Sequence, residues 1–73
     1  MLQEEIIEDA IIRNQKPIIR IDGKTFRKGT LFRIILTHDL CNTFVCEALG
    51  TRDGNVRIAH DSRHLRHFDV VNL

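Results

Sequence analysis

The run Lys24–Thr37, KTFRKGTLFRIILT, decides how this chain reads. Phe32, Ile34 and Leu36 alternate with Arg33 and Ile35, the period of two that places one side of a β-strand against a core. Gly29 stands inside the run, and a glycine within a strand marks a bend by which a long strand turns a barrel corner. Upstream, Pro17–Ile21 is a short β-branched strand. Asp22-Gly23 follows as a hairpin signal, because a tight two-residue turn wants positive φ at both central positions. Downstream, His38–Asn42 reads as a turn and Thr43–Leu49 as a third strand, with Phe44, Cys46 and Ala48 inward and Glu47 outward. A second Asp-Gly pair, Asp53-Gly54, closes the loop Gly50–Asn55. Val56–His60 is the fourth strand, with Val56 and Ile58 inward and Arg57 outward. Asp61–His64 is one turn of helix capped by Asp61, and the fifth strand runs from Leu65 or Arg66 to Val71.

The opening segment reads differently. From residue 2 to 14, Leu2, Ile6, Ile7, Ala10 and Ile11 follow the helical period, with Glu4, Glu5, Glu8 and Asp9 off that face. The early carboxylates suit the positive end of a helix dipole and Arg13 the negative end. Pro17 prevents continuation. The expected fold is therefore mainly β with one α-helix: a single domain, 1–73, in which an N-terminal helix (1–15) precedes a five-stranded small β-barrel (16–73). A barrel removes strand edges and lets a short chain form a core.

The stretch Phe26–Phe32, the strand Phe44–Ala48, the Asp53-Gly54 hairpin, Val56–Ala59 and Leu65–Phe68 together resemble, in element order, the small-barrel superfold shared by Sm-like and Src-homology-3-like domains. The preceding helix and tight first hairpin are more similar to the Sm-like version. The resemblance spans nearly the whole chain and implies the fold alone, because the functional signatures of both families are missing. Asp39 and Asn42 are present, but Asp39 lies ten residues beyond Gly29 and no Arg-Gly pair occurs, so the uridine-rich RNA site of Sm-like proteins is not carried over. Trp and Tyr are absent and the four phenylalanines are needed for the core, which removes the aromatic groove of proline-peptide and methyl-lysine readers.

With 73 residues, folding buries only about 60% of the unfolded chain's surface, which leaves little material for a deep catalytic cleft. No catalytic residues and no cofactor are expected. The start, MLQEEIIEDA, is acidic where a secretory signal would be basic. No apolar run exceeds three residues, as in Ile34-Ile35-Leu36, so no membrane association is expected. Two cysteines, Cys41 and Cys46, are too few for a disulfide scaffold and read as reduced thiols of a cytoplasmic protein. Cys46 alternates with Phe44 and Ala48, as a buried and inert thiol would. Cys41 lies beside His38 and Asp39, but neighbours in sequence rarely form a catalytic constellation.

Charge is unevenly placed. Residues 1–14 hold four acids and one base, a balance of −3, and the remainder ten bases and six acids, a balance of +4. Six bases fall between Lys16 and Arg33 (Lys16, Arg20, Lys24, Arg27, Lys28, Arg33) with Asp22 the one acid. A basic face would hold RNA or DNA phosphates without base specificity, and Lys24, Arg27, Lys28, Arg33, Arg57, Arg63 and Arg66 are the expected contacts. The bland alternative is that these are outward residues of exposed strands. His60, His64 and His67 would share a face of a continuous helix and suit a metal there. The strand pattern on both sides opposes such a helix, so they read as polar turn residues and no metal site is expected.

The leading expectation is thus a non-enzymatic binding module for nucleic acid or protein. Its alternative is a protein-interaction or assembly subunit, a homo-oligomer included, that uses Ile7, Ile11 and Ile12 of the apolar N-terminal segment together with strand edges. A further alternative is a small-molecule site between subunits, lined by the segment His60–His67.

Overall fold

A computed structural model describes residues 1–72. From the start of the chain come a 3₁₀ turn (Gln3–Glu5), β1 (Ile11–Asn14), β2 (Ile18–Ile19) and β3 (Thr25–Phe26). They are followed by β4 (Leu31–Asp39), β5 (Thr43–Ala48), β6 (Asn55–Ala59), a short helix α1 (Ser62–Leu65) and β7 (Phe68–Asn72). Five strands form one antiparallel sheet in the order β6-β5-β4-β1-β7, and β2 and β3 form a separate two-stranded sheet.

The expected N-terminal helix is not formed. Its place is taken by the 3₁₀ turn and by β1, which lies between β4 and β7 and pairs with both. Three local features favour this outcome. The apolar residues come as adjacent β-branched pairs, Ile6-Ile7 and Ile11-Ile12, which lose side-chain freedom in a helix. An isolated helix of this length is marginal in water. Asp9 takes φ 71°, a left-handed conformation that ends any helical run. In exchange, Ile12 and Asn14 turn inward while Arg13 faces solvent, and the strand's polar backbone is satisfied on both sides.

The sheet does not close into a barrel: β6 and β7 lie at opposite edges. Closure needs strands long enough to tilt and stagger around an axis, whereas β1 has four residues and β2 and β3 two each. The expected strand Lys24–Thr37 is also two strands. Gly29 (φ 88°) sits in the turn between β3 and β4 and not in a strand bend; Thr30 N–H donates to the Arg27 carbonyl at 3.1 Å, and Gly29 N–H to the Asn14 carbonyl at 2.9 Å. In the first hairpin only Gly23 of the Asp-Gly pair has positive φ, and its N–H donates to the Arg20 carbonyl at 2.8 Å. The turn is therefore centred one residue earlier than expected. In the Asp53-Gly54 loop it is Asp53, at φ 55°, that is left-handed.

The inner face matches its sequence pattern. Phe26, Phe32, Phe44 and Phe68 are all buried, as are Ile34, Cys46, Val56 and Ile58. Phe26 and Phe32 meet edge to face at 5.5 Å between ring centres, the geometry their quadrupoles favour. Asp61 caps α1, its carboxylate accepting from Arg63 N–H at 2.9 Å and His64 N–H at 3.3 Å, so that Leu65 is delivered to the core. No helix among the described residues is long and apolar enough to cross a membrane.

Candidate functional site

A furrow runs along β6. Its larger part, about 520 Å³, lies between the β1–β2 connection (Lys16, Pro17, Ile18) and residues Val56–Ala59, with Phe68 below and His64 and His67 at one end. A second part, about 460 Å³, continues between Ile18–Ile21 and Val45, Asn55, Val56 and Arg57. Ile18, Val56 and Arg57 border both parts. Most of the lining surface is apolar.

The wall formed by β2 is held by salt bridges. Arg20 Nη2 meets Asp22 Oδ2 at 2.7 Å and Asp53 Oδ2 at 2.9 Å, while Nη1 donates to the carbonyls of Asp53 at 2.8 Å and Asn55 at 3.0 Å. The guanidinium is only 16% exposed. Hydrogen bonding to Arg20 holds the Asp22 carboxyl well below the ordinary carboxylate range, with the Lys24 N–H contributing. Lys24 Nζ donates to the Arg52 carbonyl at 2.8 Å and lies 5.9 Å from the Phe26 ring centre. The β2–β3 hairpin is thereby pinned to the β5–β6 loop.

The bases expected to make phosphate contacts do not act alike. Arg33 pairs with Glu47, its cross-strand neighbour, Arg57 with Asp39 at 2.6 Å, and Arg63 with Asp61 at 3.5 Å. Lys24 is occupied by the Arg52 carbonyl. Arg27, Lys28 and Arg66 are exposed and carry no ion pair among the described residues.

Buried Asn14 organises one end of the furrow. Its Nδ2 donates to the carbonyls of Lys16 and Arg27, each at 2.9 Å, and Gln15 N–H donates to the His67 carbonyl at 2.7 Å. The backbones of Lys16, Arg27 and His67 are thus tied to two consecutive residues. The His67 imidazole titrates below its ordinary value, first because it is partly desolvated and then because Lys16, Arg66 and His64 lie near it. Lys16 lines the furrow and was not among the expected contacts. Pro17, which lies between the end of β1 at Asn14 and the start of β2 at Ile18, was the signal for a chain break at its position.

His64 and His67 both border the furrow, and His60 does not join them. His60 is buried, its Nε2 is 2.9 Å from the Thr37 carbonyl, and its ring lies 5.7 Å from Phe44. His64 Nδ1 is 3.1 Å from Asp61 Oδ1, and His67 belongs to the furrow. No three His, Cys, Asp or Glu side chains converge on a metal position among the described residues. Cys46 is fully buried and its thiol is pushed up to about 12 by desolvation, while Cys41 is exposed at the β4–β5 turn.

Of the expected partner contacts, Ile12 is corrected: it is 0% exposed, packed within the domain's own core, because it points inward from a central strand. Ile11 is half-buried on the outer face and Ile7 is exposed. Comparison with protein-family models, with curated proteins and with solved structures finds no match for the chain.

Proposed function

We propose that the chain is a non-enzymatic protein-interaction module whose furrow along β6 holds an acidic segment of a partner protein. One observation carries the reading: an apolar-walled furrow has a rim on which Lys16, His64 and His67 gather, with Arg66 close to His67. Apolar walls reward burial of aliphatic side chains, and the cations Lys16 and Arg66 select a partner of opposite charge. The paired states of Arg33, Arg57 and Arg63 weigh against a continuous phosphate-binding face. The furrow's one phenylalanine, Phe68, is buried, and no Tyr or Trp occurs in the chain, which weighs against an extended platform for stacked bases.

The test uses a blocked, fluorescently labelled octapeptide alternating valine with glutamate, and a single-stranded oligonucleotide of equal charge. The peptide is expected to bind at low salt and to weaken as the Debye length shrinks from ~10 Å at 0.1 M toward ~3 Å at 1 M salt. Lys16→Glu is expected to weaken it by about tenfold or more, a reversal worth about 1.4 kcal/mol. Absence of peptide binding at low salt, or tighter binding of the oligonucleotide, overturns the reading.

A further inference from the structure

The manner of binding is written in the backbone of β6. At one end of the β5–β6 pair Ala48 N–H donates to the Gly54 carbonyl at 2.9 Å, and at the other His60 N–H donates to the Asn42 carbonyl at 3.0 Å. Alternate residues of an antiparallel strand present their N–H and C=O to the same neighbour. Gly54, Val56, Ile58 and His60 therefore face β5, and Asn55, Arg57 and Ala59 face the open edge. The Asn55 carbonyl is taken by Arg20. Arg57 and Ala59 line the furrow, and among the described residues no strand other than β5 pairs with β6. Each therefore offers one N–H and one C=O to whatever enters.

The other sheet edge is partly occupied as well. On β7 the Phe68 carbonyl accepts from the Met1 amino group at 2.7 Å. An unpaired edge is a template for a further strand, and in β6 it is bordered by apolar walls and a basic rim.

We infer that the acidic partner segment adds to the sheet as a strand beside β6. Its backbone pairs with Arg57 and Ala59, alternate side chains enter the apolar furrow, and its carboxylates reach the rim at Lys16 and His67. This inference rests on the protein-segment reading of the furrow and specifies how that segment is held. Main-chain pairing supplies affinity, and the alternate side chains supply selectivity.

The experiment uses the valine–glutamate octapeptide and two N-methylated forms, one methylated on the valine nitrogens and one on the glutamate nitrogens. Alternate amides of a strand point to opposite edges, so only one form removes the donors that pair with β6. That form is expected to lose about tenfold or more in affinity, since each lost hydrogen bond is worth ~1 kcal/mol, while the other binds like the parent. The Arg57 and Ala59 amide protons are expected to exchange more slowly on binding. Ala59→Pro removes an outward N–H that the β5–β6 ladder does not use, a position where a strand tolerates proline. It is expected to bind the parent peptide about tenfold more weakly while keeping its dispersed amide spectrum; if that variant is unfolded, the methylated pair decides alone. Equal affinities for the two methylated forms, with the parent still bound, overturn strand addition and leave the interaction module standing. Failure of the parent peptide to bind overturns both.

Discussion

Replacing Ile12 and Ile11 separately by alanine tests the strand that displaced the expected helix. Ile12 is 0% exposed in β1, hydrogen-bonded between β4 and β7, so its surroundings have little room to collapse. Ile→Ala removes three carbons at about 0.8 kcal/mol each. The cavity left in a site that cannot relax adds roughly 1 kcal/mol more, giving about 3–4 kcal/mol in all. A domain of this size has about 4–11 kcal/mol of total stability, so the loss takes a large share of it. Each kcal/mol moves the midpoint of thermal unfolding by about 4–8 °C, which predicts a fall of roughly 20 °C. Ile11 is half-buried on the outer face and loses the same atoms with half the effect or less, about 1–1.5 kcal/mol. Thermal unfolding followed by circular dichroism reads both. In a helix, Ile11 would share a face with Ile7, four residues away, and would matter at least as much as Ile12. Equal losses for the two variants, or a larger loss for Ile11→Ala, would refute the strand.

Gly54→Ala tests a close approach: a Cβ there would sit 2.9 Å from the Ala48 Cβ and 3.0 Å from the Ala48 nitrogen. The β5–β6 pair must shift, and the urea midpoint is expected to fall by an amount equivalent to about 1–3 kcal/mol; an unchanged midpoint contradicts the packing. Titration with a thiol reagent at neutral pH is expected to modify Cys41 at once and Cys46 only as fast as the domain unfolds, and two equally fast thiols would contradict the burial of Cys46. His67 has a folded pKa below its ordinary value, so the unfolded chain binds more protons between the two values. Stability is then expected to fall as pH drops from about 6.5 through the folded value, and His67→Gln should flatten that slope. A slope of the opposite sign would mean that the rim does not oppose protonation. At lower pH a second loss is expected as Asp22, Asp39 and Asp61, all held below their ordinary range, take up protons in the unfolded chain.

The inner face of the sheet was legible because its sequence period is strict. Phe44, Cys46 and Ala48 on β5 and Val56 and Ile58 on β6 alternate with outward residues, and a slip of one residue would expose all of them. The cap at Asp61 was legible for a local reason as well, since its carboxylate reaches N–H groups two and three residues away. The segment 2–14 was misread because its isoleucine pairs satisfy both periods. Pairing with β4 and β7, some twenty and sixty residues away in sequence, chose between them, and no local pattern records such partners. The charges were legible as a count and not as a surface: cross-strand pairing of Arg33 with Glu47 and the reach of Arg57 to Asp39 neutralise residues that look free in the sequence.

Asn14 links that misreading to the candidate site. As the last residue of a central strand it is 1% exposed, and its Nδ2 reaches the carbonyls of Lys16, Phe26 and Arg27. Its buried Oδ1 has no hydrogen-bond partner among the described residues, so burial of the amide is only partly compensated, while the Nδ2 bonds fix two turns beside the sheet. One turn carries Lys16 and Pro17 into the furrow wall; the other carries Arg27 and Lys28 to the same end of the domain. The furrow wall that carries Lys16 is therefore a consequence of the insertion of β1 into the sheet. β6 is a terminal strand of the sheet, and the connection leaving β1 supplies the wall that faces it. The fold that leaves one strand edge unpaired also places complementary charge where a partner's strand would approach it.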